Sequence, residues 1–380
     1  MTGLVLAGCG GDDDHRAAPV VTPFATGVPN PVTSVIDRQG NVWFGNTDEN
    51  GSTAVVRVSG DLGGVATIAA VETGVPSPVT ATVDRAGRVW FGCTGGASHV
   101  VRISGDLAGE PSVVSFATPV TNPAWPVVDG DGNLWFGSFD AETRKVVRIS
   151  GDLGGTPTIT AFDTGILNPV TAVVDTSGSL WFGNFLGAGS SSVVRVSGDL
   201  EGTPTITAFD TGVRKPDFPV RDGLGQLWFG NDSDSPMLVR IGGDLDREPT
   251  ITRFDTGIAN VRSGNSVGAS ALWFGNTGGG SQALRITGDL AGAPQLTVFD
   301  VGVPSPAFPV VDHDGVLWFG NDGGSSLVVR ITSPLAAEPS IGTVETQVDS
   351  AGFPLLDRLG NLWFGNTAAD GSGQILRVSD

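Results

Sequence analysis

The stretch of sequence from residue 162 to 207 is FDTGILNPVTAVVDTSGSLWFGNFLGAGSSSVVRVSGDLEGTPTIT, and it decides the fold. It contains a Trp-Phe-Gly triplet that recurs eight times along the chain. The triplets begin at Trp43, Trp90, Trp135, Trp181, Trp228, Trp273, Trp318 and Trp363. Their mean spacing is about 46 residues, which is a period typical of repeat architectures. The 380 residues therefore predict one array of eight repeats, although length alone would favour two or three domains.

Each repeat contains four short segments that favour β-strands. In the quoted stretch they are Val170–Asp175, Leu180–Asn184, Ser192–Ser197 and Thr205–Phe209. The segments are rich in Val, Ile, Thr, Trp and Phe, and Gly, Pro, Asp or Asn separates them. With 57 Gly and 24 Pro in the chain, long helices are not expected. Four antiparallel strands in a repeat of this length form one propeller blade, so we predict an all-β, eight-bladed β-propeller. The strands are called A to D, from the central channel outward.

The triplet itself explains how neighbouring blades would pack. Successive side chains of a strand point to opposite faces of its sheet. In a propeller both faces of a blade contact other blades. We therefore expect Trp43 to face one neighbouring blade and Phe44 the other, with Gly45 leaving room for a close approach.

The turn between strands A and B has its own signature, Asp-x-x-Gly. Asp bonds to nearby backbone N–H groups, and Gly supplies the positive φ of a tight hairpin. The Asp recurs at Asp37, Asp84, Asp129, Asp175, Asp222, Asp312 and Asp357. Repeat six departs from the pattern, since Val267 replaces the Asp and Ser270 the Gly.

The two ends of the repeat array are complementary. The first strand-like segment, Val20–Phe24, matches strand D, and the last, Ile375–Val378, matches strand C. We expect the N-terminal strand to complete the last blade, which closes the ring and removes an exposed sheet edge.

The N-terminus suggests export. Leu6-Ala7-Gly8-Cys9 is similar to the lipobox of bacterial lipoproteins, in which small residues precede a cysteine that is lipidated. The resemblance implies that Cys9 is acylated and that residues 1–18 are a signal remnant and flexible tether, with the propeller over residues 19–380. The expected location is a bacterial cell envelope, lipid-anchored or secreted. The alternative is a frayed terminus with a chance cysteine.

Charge and cysteine content restrict the partners. The formal net charge of −19 disfavours nucleic-acid binding. The sequence has no basic amphipathic segment of the kind that binds membrane surfaces, so we expect membrane contact only through a lipid anchor. We also expect the chain to be monomeric. The second cysteine, Cys93, is expected to be a free thiol.

The segment Asp129–Gly137 spells Asp-x-x-Gly-Asn-Leu-Trp-Phe-Gly, and Val-Val-Arg-Ile follows it on strand C. This pattern resembles the repeats of streptogramin (virginiamycin B) lyases and related NHL-type propellers, over residues 20–380. The resemblance implies the propeller fold. It also implies carbon–oxygen lyase chemistry with channel-side His and Glu residues and Mg²⁺, but the three histidines, His15, His99 and His313, do not match those positions. No catalytic residue is carried over.

Two further rings of polar residues have an architectural interpretation. Strand C carries an arginine in every repeat: Arg57, Arg102, Arg148, Arg195, Arg240, Arg285, Arg330 and Arg377. These could form a cationic ring for an anion, but we favour ion pairs with nearby turn Asp residues. The Asn after the triplet, at Asn46, Asn184, Asn231, Asn276, Asn321 and Asn366, could line a polar ring. We favour a role in capping strand B through bonds to the backbone.

Acidic residues in the B–C loops raise the question of a metal. They include Asp48, Glu49, Asp140, Glu142, Asp232, Asp234 and Asp322. Ca²⁺ or Mg²⁺ binding is conceivable, for example at Asp232-Ser233-Asp234, but no segment has the full set of oxygen ligands that Ca²⁺ requires. We therefore predict no cofactor.

One position separates the repeats into two groups. Ten residues before each triplet stand Thr33, Thr80, Trp125, Thr171, Phe218, Ser263, Phe308 and Phe353. An architectural position should carry one residue type, so the four aromatic residues suggest a ligand site at the channel mouth formed by the D–A and B–C loops. Charged residues nearby, Arg214, Lys215, Asp217 and Arg262, could orient a polar group. The alternative is that the rings simply fill a wide channel.

Together these features predict a non-enzymatic, envelope-anchored propeller that binds a small molecule, glycan or protein at that mouth. The alternatives are a lyase-like enzyme with metal-assisted acid–base chemistry, or a structural surface protein.

Overall fold

The computed structural model describes residues 18–47, 51–185, 190–366, 371 and 373–379, and in them it contains 32 strands and no helix. Strand β1 spans Val20–Ala25. Blade one contains β2 (Pro31–Ile36), β3 (Val42–Asn46), β4 (Ala54–Gly60) and β5 (Ala66–Glu72). Blade two contains β6 (Pro78–Val83), β7 (Val89–Cys93), β8 (His99–Gly105) and β9 (Pro111–Ala117). Blade three contains β10 (Pro123–Val128), β11 (Leu134–Ser138), β12 (Lys145–Gly151) and β13 (Pro157–Asp163). Blade four contains β14 (Pro169–Val174), β15 (Leu180–Asn184), β16 (Ser192–Gly198) and β17 (Pro204–Asp210).

The second half repeats this order. Blade five contains β18 (Pro216–Arg221), β19 (Leu227–Asn231), β20 (Met237–Gly243) and β21 (Pro249–Asp255). Blade six contains β22 (Val261–Val267), β23 (Ala271–Asn276), β24 (Gln282–Gly288) and β25 (Pro294–Asp300). Blade seven contains β26 (Pro306–Val311), β27 (Leu317–Asn321), β28 (Leu327–Thr332) and β29 (Ser340–Glu345). Blade eight contains β30 (Ala351–Leu356), β31 (Leu362–Asn366) and β32 (Gln374–Ser379).

The eight sheets each have four antiparallel strands, and the last one is completed by the N-terminus. Strand β1 pairs with β32 in the register Val20↔Ser379 to Ala25↔Gln374. Phe24 of β1 packs on Trp363, with ring centroids 5.6 Å apart. The predicted eight-bladed propeller and its closure by the N-terminal strand are confirmed.

The triplets form the contacts between blades. The core between blades one and two contains Trp43 and Phe91, and the core between blades eight and one contains Trp363 and Phe44. The same combination, Trp of one blade with Phe of the next, recurs in all eight inter-blade cores. Gly45 lies against the backbone carbonyls of Pro78 and Val79, where a Cβ would clash. The expectation for the triplet is therefore confirmed.

The turn Asp has a partner that sequence reasoning missed, the indole of its own blade. Asp129 accepts hydrogen bonds from the backbone N–H groups of Asp131 and Asn133 through Oδ1. Its Oδ2 accepts one from Trp135 Nε1 at 2.8 Å. The same indole bond is present in seven blades. In blade six, where Val267 stands at the Asp position, Trp273 Nε1 is buried without a partner.

The strand-C arginines do not form the expected ion pairs, and this interpretation is wrong. Arg102 donates from Nη1 to the carbonyl oxygens of Leu153 and Gly155, at 2.6 and 3.0 Å, in the C–D turn of the next blade. Its guanidinium also lies over Phe116 and Trp90 of its own blade. Carbonyls bond the guanidinium because the turn Asp is already occupied by backbone N–H groups and the indole. The same kind of bond to the next blade is made by seven of the eight arginines, and the described residues show none for Arg330. These arginines join blades and do not form a ring in the channel.

Other sequence expectations have clear outcomes. The Asn after the triplet does bond to the backbone, as in Asn184 Nδ2 to the Leu167 carbonyl at 2.6 Å. Cys93 is a free, buried thiol, and burial raises its pKa to about 12. Cys9, His15 and residues 48–49 lie outside the described residues. In the part of the chain that is described, no helix is long and apolar enough to cross a membrane.

The missing indole partner of blade six allows a matched test. Trp135→Phe removes the indole N–H that donates to Asp129 Oδ2, which then keeps only the bond from Asn133 Nδ2, whereas Trp273→Phe removes an N–H that has no partner. Because a hydrogen bond to a charged group contributes about 1.5–3 kcal/mol, we expect Trp135→Phe to lower the melting temperature more than Trp273→Phe does. Equal losses, measured by calorimetry, would contradict the importance of the Asp–indole bond.

Candidate functional site

The four aromatic residues singled out in the sequence meet on the axis of the ring. Trp125, Phe218, Phe308 and Phe353, the aromatic cluster, come from the A strands of blades three, five, seven and eight. Ring centroids are 5.0 Å apart for Trp125–Phe218, 5.5 Å for Phe218–Phe308, 3.7 Å for Phe308–Phe353 and 5.9 Å for Trp125–Phe353. Each ring therefore contacts the next in a closed cycle, and all four are half-buried.

A strained backbone turns these rings toward the axis. All four have positive φ, between 42° and 52°, at a β-bulge of their A strand. A positive φ is a true outlier for a bulky aromatic residue. Bulges re-aim side chains and are frequent beside functional sites, where the surrounding structure compensates strain of about 1–3 kcal/mol per residue.

The hydroxyl residues at the same position support the bulges. The backbone N–H of Trp125 donates to Thr80 Oγ1 at 2.8 Å, and that of Phe308 to Ser263 Oγ at 2.9 Å. Phe218 N–H donates likewise to Thr171 Oγ1. In these three cases a hydroxyl in one blade binds the strained residue of the next blade. The split between the two residue types therefore has an architectural component, and the assumption that architecture would make all eight alike was wrong.

The aromatic cluster separates two cavities on the axis. The inner cavity, of about 340 Å³, lies toward the A–B turns and has walls of uncharged side chains that include Ser34, Pro126 and Pro309. The mouth cavity, of about 270 Å³, lies toward the B–C loops. Its floor is the aromatic cluster, and its walls include Phe139, Phe185, Arg262 and Asp322. The rings thus both fill the channel and line a cavity at its mouth.

Sequence reasoning missed Phe139 and Phe185. They stack with centroids 5.1 Å apart, and both follow the end of strand B. The position four residues after the triplet Trp carries Thr or Asp in the other six repeats. Aligning this position across the repeats would have identified the two phenylalanines, in adjacent blades three and four.

A buried charge pair stands beside the mouth cavity. Asp217 and Arg262 occupy equivalent positions in blades five and six, eleven residues before the triplet, where the other six blades have Val, Ala or Gly. Arg262 Nε is 3.4 Å from Asp217 Oδ2 and Nη1 is 3.8 Å from Asp232 Oδ1. Lys215 Nζ is 3.5 Å from the other Asp232 oxygen. Asp232 is thus engaged in ion pairs.

The eight residues predicted for the site are therefore only partly brought together. The aromatic cluster and Arg262 line the mouth cavity. Asp217 lies buried behind Arg262, and Lys215 reaches the cluster of charges through Asp232. Arg214 is exposed on its loop and does not line the cavity. Within the described residues, no group of three or more His, Cys, Asp or Glu is arranged to hold a metal ion.

The environment of Asp217 perturbs its ionisation. Burial raises the pKa of its carboxyl from the usual 3.8 to about 6, although the Arg262 charge and a hydrogen bond from Thr171 Oγ1 at 2.6 Å oppose the rise. Desolvation outweighs both because the side chain is completely buried and Arg262 Nε forms no hydrogen bond with it.

Comparison with known proteins agrees with the fold. No protein-family profile and no curated protein sequence matches the chain. Among solved structures, virginiamycin B lyase from Staphylococcus aureus has a TM-score of 0.58 at 16% identity, covering 96% of this chain and 100% of the lyase. The resemblance is one of fold. A periplasmic gluconolactonase from Pseudomonas aeruginosa, with a TM-score of 0.59 at 14% identity, covers 86% of this chain and 99% of its own. Sqt1 from Saccharomyces cerevisiae has a TM-score of 0.67 at 12% identity, over 94% of this chain and 98% of its own.

The raised pKa of Asp217 predicts a pH-dependent stability. Between pH 4 and pH 6 the folded chain retains a proton that the unfolded chain has lost, so the free energy of unfolding falls as the pH rises through this window. The slope is about 1.4 kcal/mol per pH unit, so the free energy of unfolding falls by about 3 kcal/mol in total. The fall ends once the pH exceeds the pKa of Asp217 in the folded state. Asp217→Asn should remove it, which melting temperatures measured from pH 4 to 7.5 will show.

Asp210 serves as a control, because its pKa is shifted in the opposite direction to that of Asp217. A hydrogen bond from the Ser191 hydroxyl and one from the Gly212 N–H lower the pKa of its carboxyl, so its contribution is lost as the pH falls. Identical pH profiles for wild type and Asp217→Asn would show that Asp217 has an ordinary pKa.

Proposed function

We propose that this propeller is a non-enzymatic binding protein that holds a small molecule in the mouth cavity. One observation carries the proposal: four aromatic side chains, each at a strained bulge, converge on the axis to form the floor of that cavity. The inter-blade cores already contain sixteen Trp and Phe side chains from the triplets, so the fold does not need this strain to close. Strain retained beside a concave, aromatic-lined cavity is a mark of a ligand site.

The fold neighbours do not choose between binding and catalysis. They include a lyase, a lactonase and Sqt1, all under 25% identical, and one fold supports many functions. The strongest acid–base candidate beside the cavity is Asp217, with its raised pKa. It is fully buried behind Arg262, so a ligand in the cavity meets the arginine and not the carboxyl. This arrangement suits recognition.

Trp125 provides a built-in reporter for ligand binding. The eight triplet tryptophans are at most 1% exposed, whereas Trp125 is half-buried and lines the cavity. We expect a small molecule that raises the melting temperature of the wild type to change the Trp125 emission and to reduce its quenching by acrylamide. A thermal-shift screen followed by fluorescence titration identifies such compounds.

Two variants locate the binding event. Trp125→Ala opens the floor of the cavity and should weaken binding at least about tenfold, since an aromatic contact contributes roughly 0.5–1.5 kcal/mol beyond the area it buries. Leu359→Ala, at an exposed A–B turn on the opposite end, is the control and should bind as the wild type does. Compounds that bind Trp125→Ala with unchanged affinity would place the site elsewhere and defeat the proposal.

Envelope anchoring through Cys9 belongs to the same proposal and rests on the Leu6–Cys9 motif alone. Acylated wild-type chain should enter the detergent phase in a phase-partitioning experiment on expressing bacteria, and Cys9→Ala should remain in the aqueous phase. Aqueous partitioning of both, with an unmodified Cys9 by mass spectrometry, would reject the anchor.

A further inference from the structure

Arg262 presents its guanidinium to the mouth cavity. Arg262 carries five N–H donors, and the described part of the chain supplies its guanidinium with two ion-pair partners, Asp217 and Asp232. Its carboxylate neighbours lie at ion-pair distances of 3.4 and 3.8 Å, and Nε is buried without an acceptor. The side chain is only 12% exposed, so most of it is withdrawn from bulk water. Polar groups withdrawn from water need hydrogen-bond partners, and a ligand in the cavity that Arg262 lines would supply them to its other nitrogens.

Two phenyl rings fix the orientation of this group. The guanidinium carbon lies 4.3 Å from the ring centroid of Phe185 and 4.5 Å from that of Phe218. Two cation–π contacts at these distances restrict the position of the guanidinium. Nε lies beside Asp217 and Nη1 beside Asp232, so Nη2 is the nitrogen for which the described residues show no carboxylate at ion-pair distance, and it is the one best placed to meet oxygen acceptors of a ligand.

Charge around the mouth selects a neutral ligand. An anion would approach Arg262 but would also meet Asp322 in the wall and Asp232 beside the guanidinium, in a chain of net charge −19. A cation would meet the guanidinium itself. Like-charge contacts in a poorly solvated cavity are unfavourable in both cases.

The volume and the lining of the mouth cavity restrict the class of ligand further. The cavity of about 270 Å³ is slightly smaller than the range of about 300–1,000 Å³ typical of drug-sized ligands, so it suits a ligand of one ring. Its floor is aromatic, whereas its walls carry N–H donors on Arg262, carboxylate oxygens on Asp322 and hydroxyls on Thr47 and Thr94. The ligand must therefore combine an apolar face with several oxygens that both accept and donate hydrogen bonds.

We infer that the ligand is a neutral sugar ring, with its C–H face on the aromatic cluster and its hydroxyl oxygens accepting hydrogen bonds from Arg262. The inference rests on the proposed function, since it names the ligand class of the same cavity. Specifically, neutral sugars should bind more tightly than charged ones, and their binding should depend on the N–H groups of Arg262.

The test uses sugars that differ in charge. The wild-type chain is titrated with glucose, galactose and mannose, and in parallel with glucuronate and glucosamine, with Trp125 emission as the signal. We expect at least one neutral sugar to bind, and the two charged sugars to bind at least about tenfold more weakly. Tighter binding of glucuronate or glucosamine than of every neutral sugar would overturn the inference.

Variants at Arg262 separate recognition from folding. Hydrogen bonds to a charged donor contribute about 1.5–3 kcal/mol, so Arg262→Gln should weaken sugar binding by roughly 10- to 100-fold. Arg262→Lys keeps the charge beside Asp217 and preserves the fold, but lacks the planar fork and should not restore affinity. Arg214→Gln, on the exposed D–A loop, is the matched control and should bind normally. Full affinity in Arg262→Lys would show that charge alone suffices and would overturn the role of the N–H groups of Arg262.

The outcomes distinguish this inference from the function on which it rests. If no neutral sugar changes the Trp125 emission but another compound binds in a Trp125-dependent manner, the sugar assignment is wrong and the binding function stands. If compounds that bind the chain do so without dependence on Trp125, both fail.

Discussion

The interlocking of a tryptophan from one blade with a phenylalanine from the next is the contact on which the whole ring depends. A single four-stranded sheet cannot bury both of its faces, so no blade is stable without two neighbours. The triplet places one ring on each face, and its glycine lets the adjacent backbone approach. Eight such contacts fit together only when the ring is closed, and the pairing of β1 with β32 therefore completes every other contact.

The sequence was sufficient to predict this architecture because each of its determinants is repeated eight times. Strand boundaries in the quoted repeat agree with those of blade four to within a residue, since turn residues mark both ends of each strand. The partners of repeated polar residues could not be predicted in the same way. Arg102 and Asp129 both recur with a fixed period, and periodicity does not say that one meets carbonyls of the next blade and the other an indole of its own.

The candidate site was predictable only where the repeats differ from one another. The sequence alone identifies the aromatic cluster, because four large rings at a position that is otherwise Thr or Ser stand out from the repeat. Phe139 and Phe185 are departures of the same kind, at the position four residues after the triplet Trp. The convergence of these rings depends on positive φ values at bulges, which a sequence of β-favouring residues does not reveal. The position of Arg262 between Asp217, Asp232 and the rings of Phe185 and Phe218 is likewise a property of three-dimensional placement.

The bond from a hydroxyl in one blade to the bulge of the next has a consequence for how this ring can change in length. It links blade two to three, four to five and six to seven. Over these blades the pattern on the A strands, which line the channel, therefore repeats every two blades, although the Trp-Phe-Gly triplet repeats in every blade. Loss or duplication of a single blade among them would set aromatic against aromatic or hydroxyl against hydroxyl. Loss or duplication of a linked pair would keep every junction. Over blades two to seven, the unit for recombination as for design is therefore a linked pair of blades, about 92 residues or twice the repeat period.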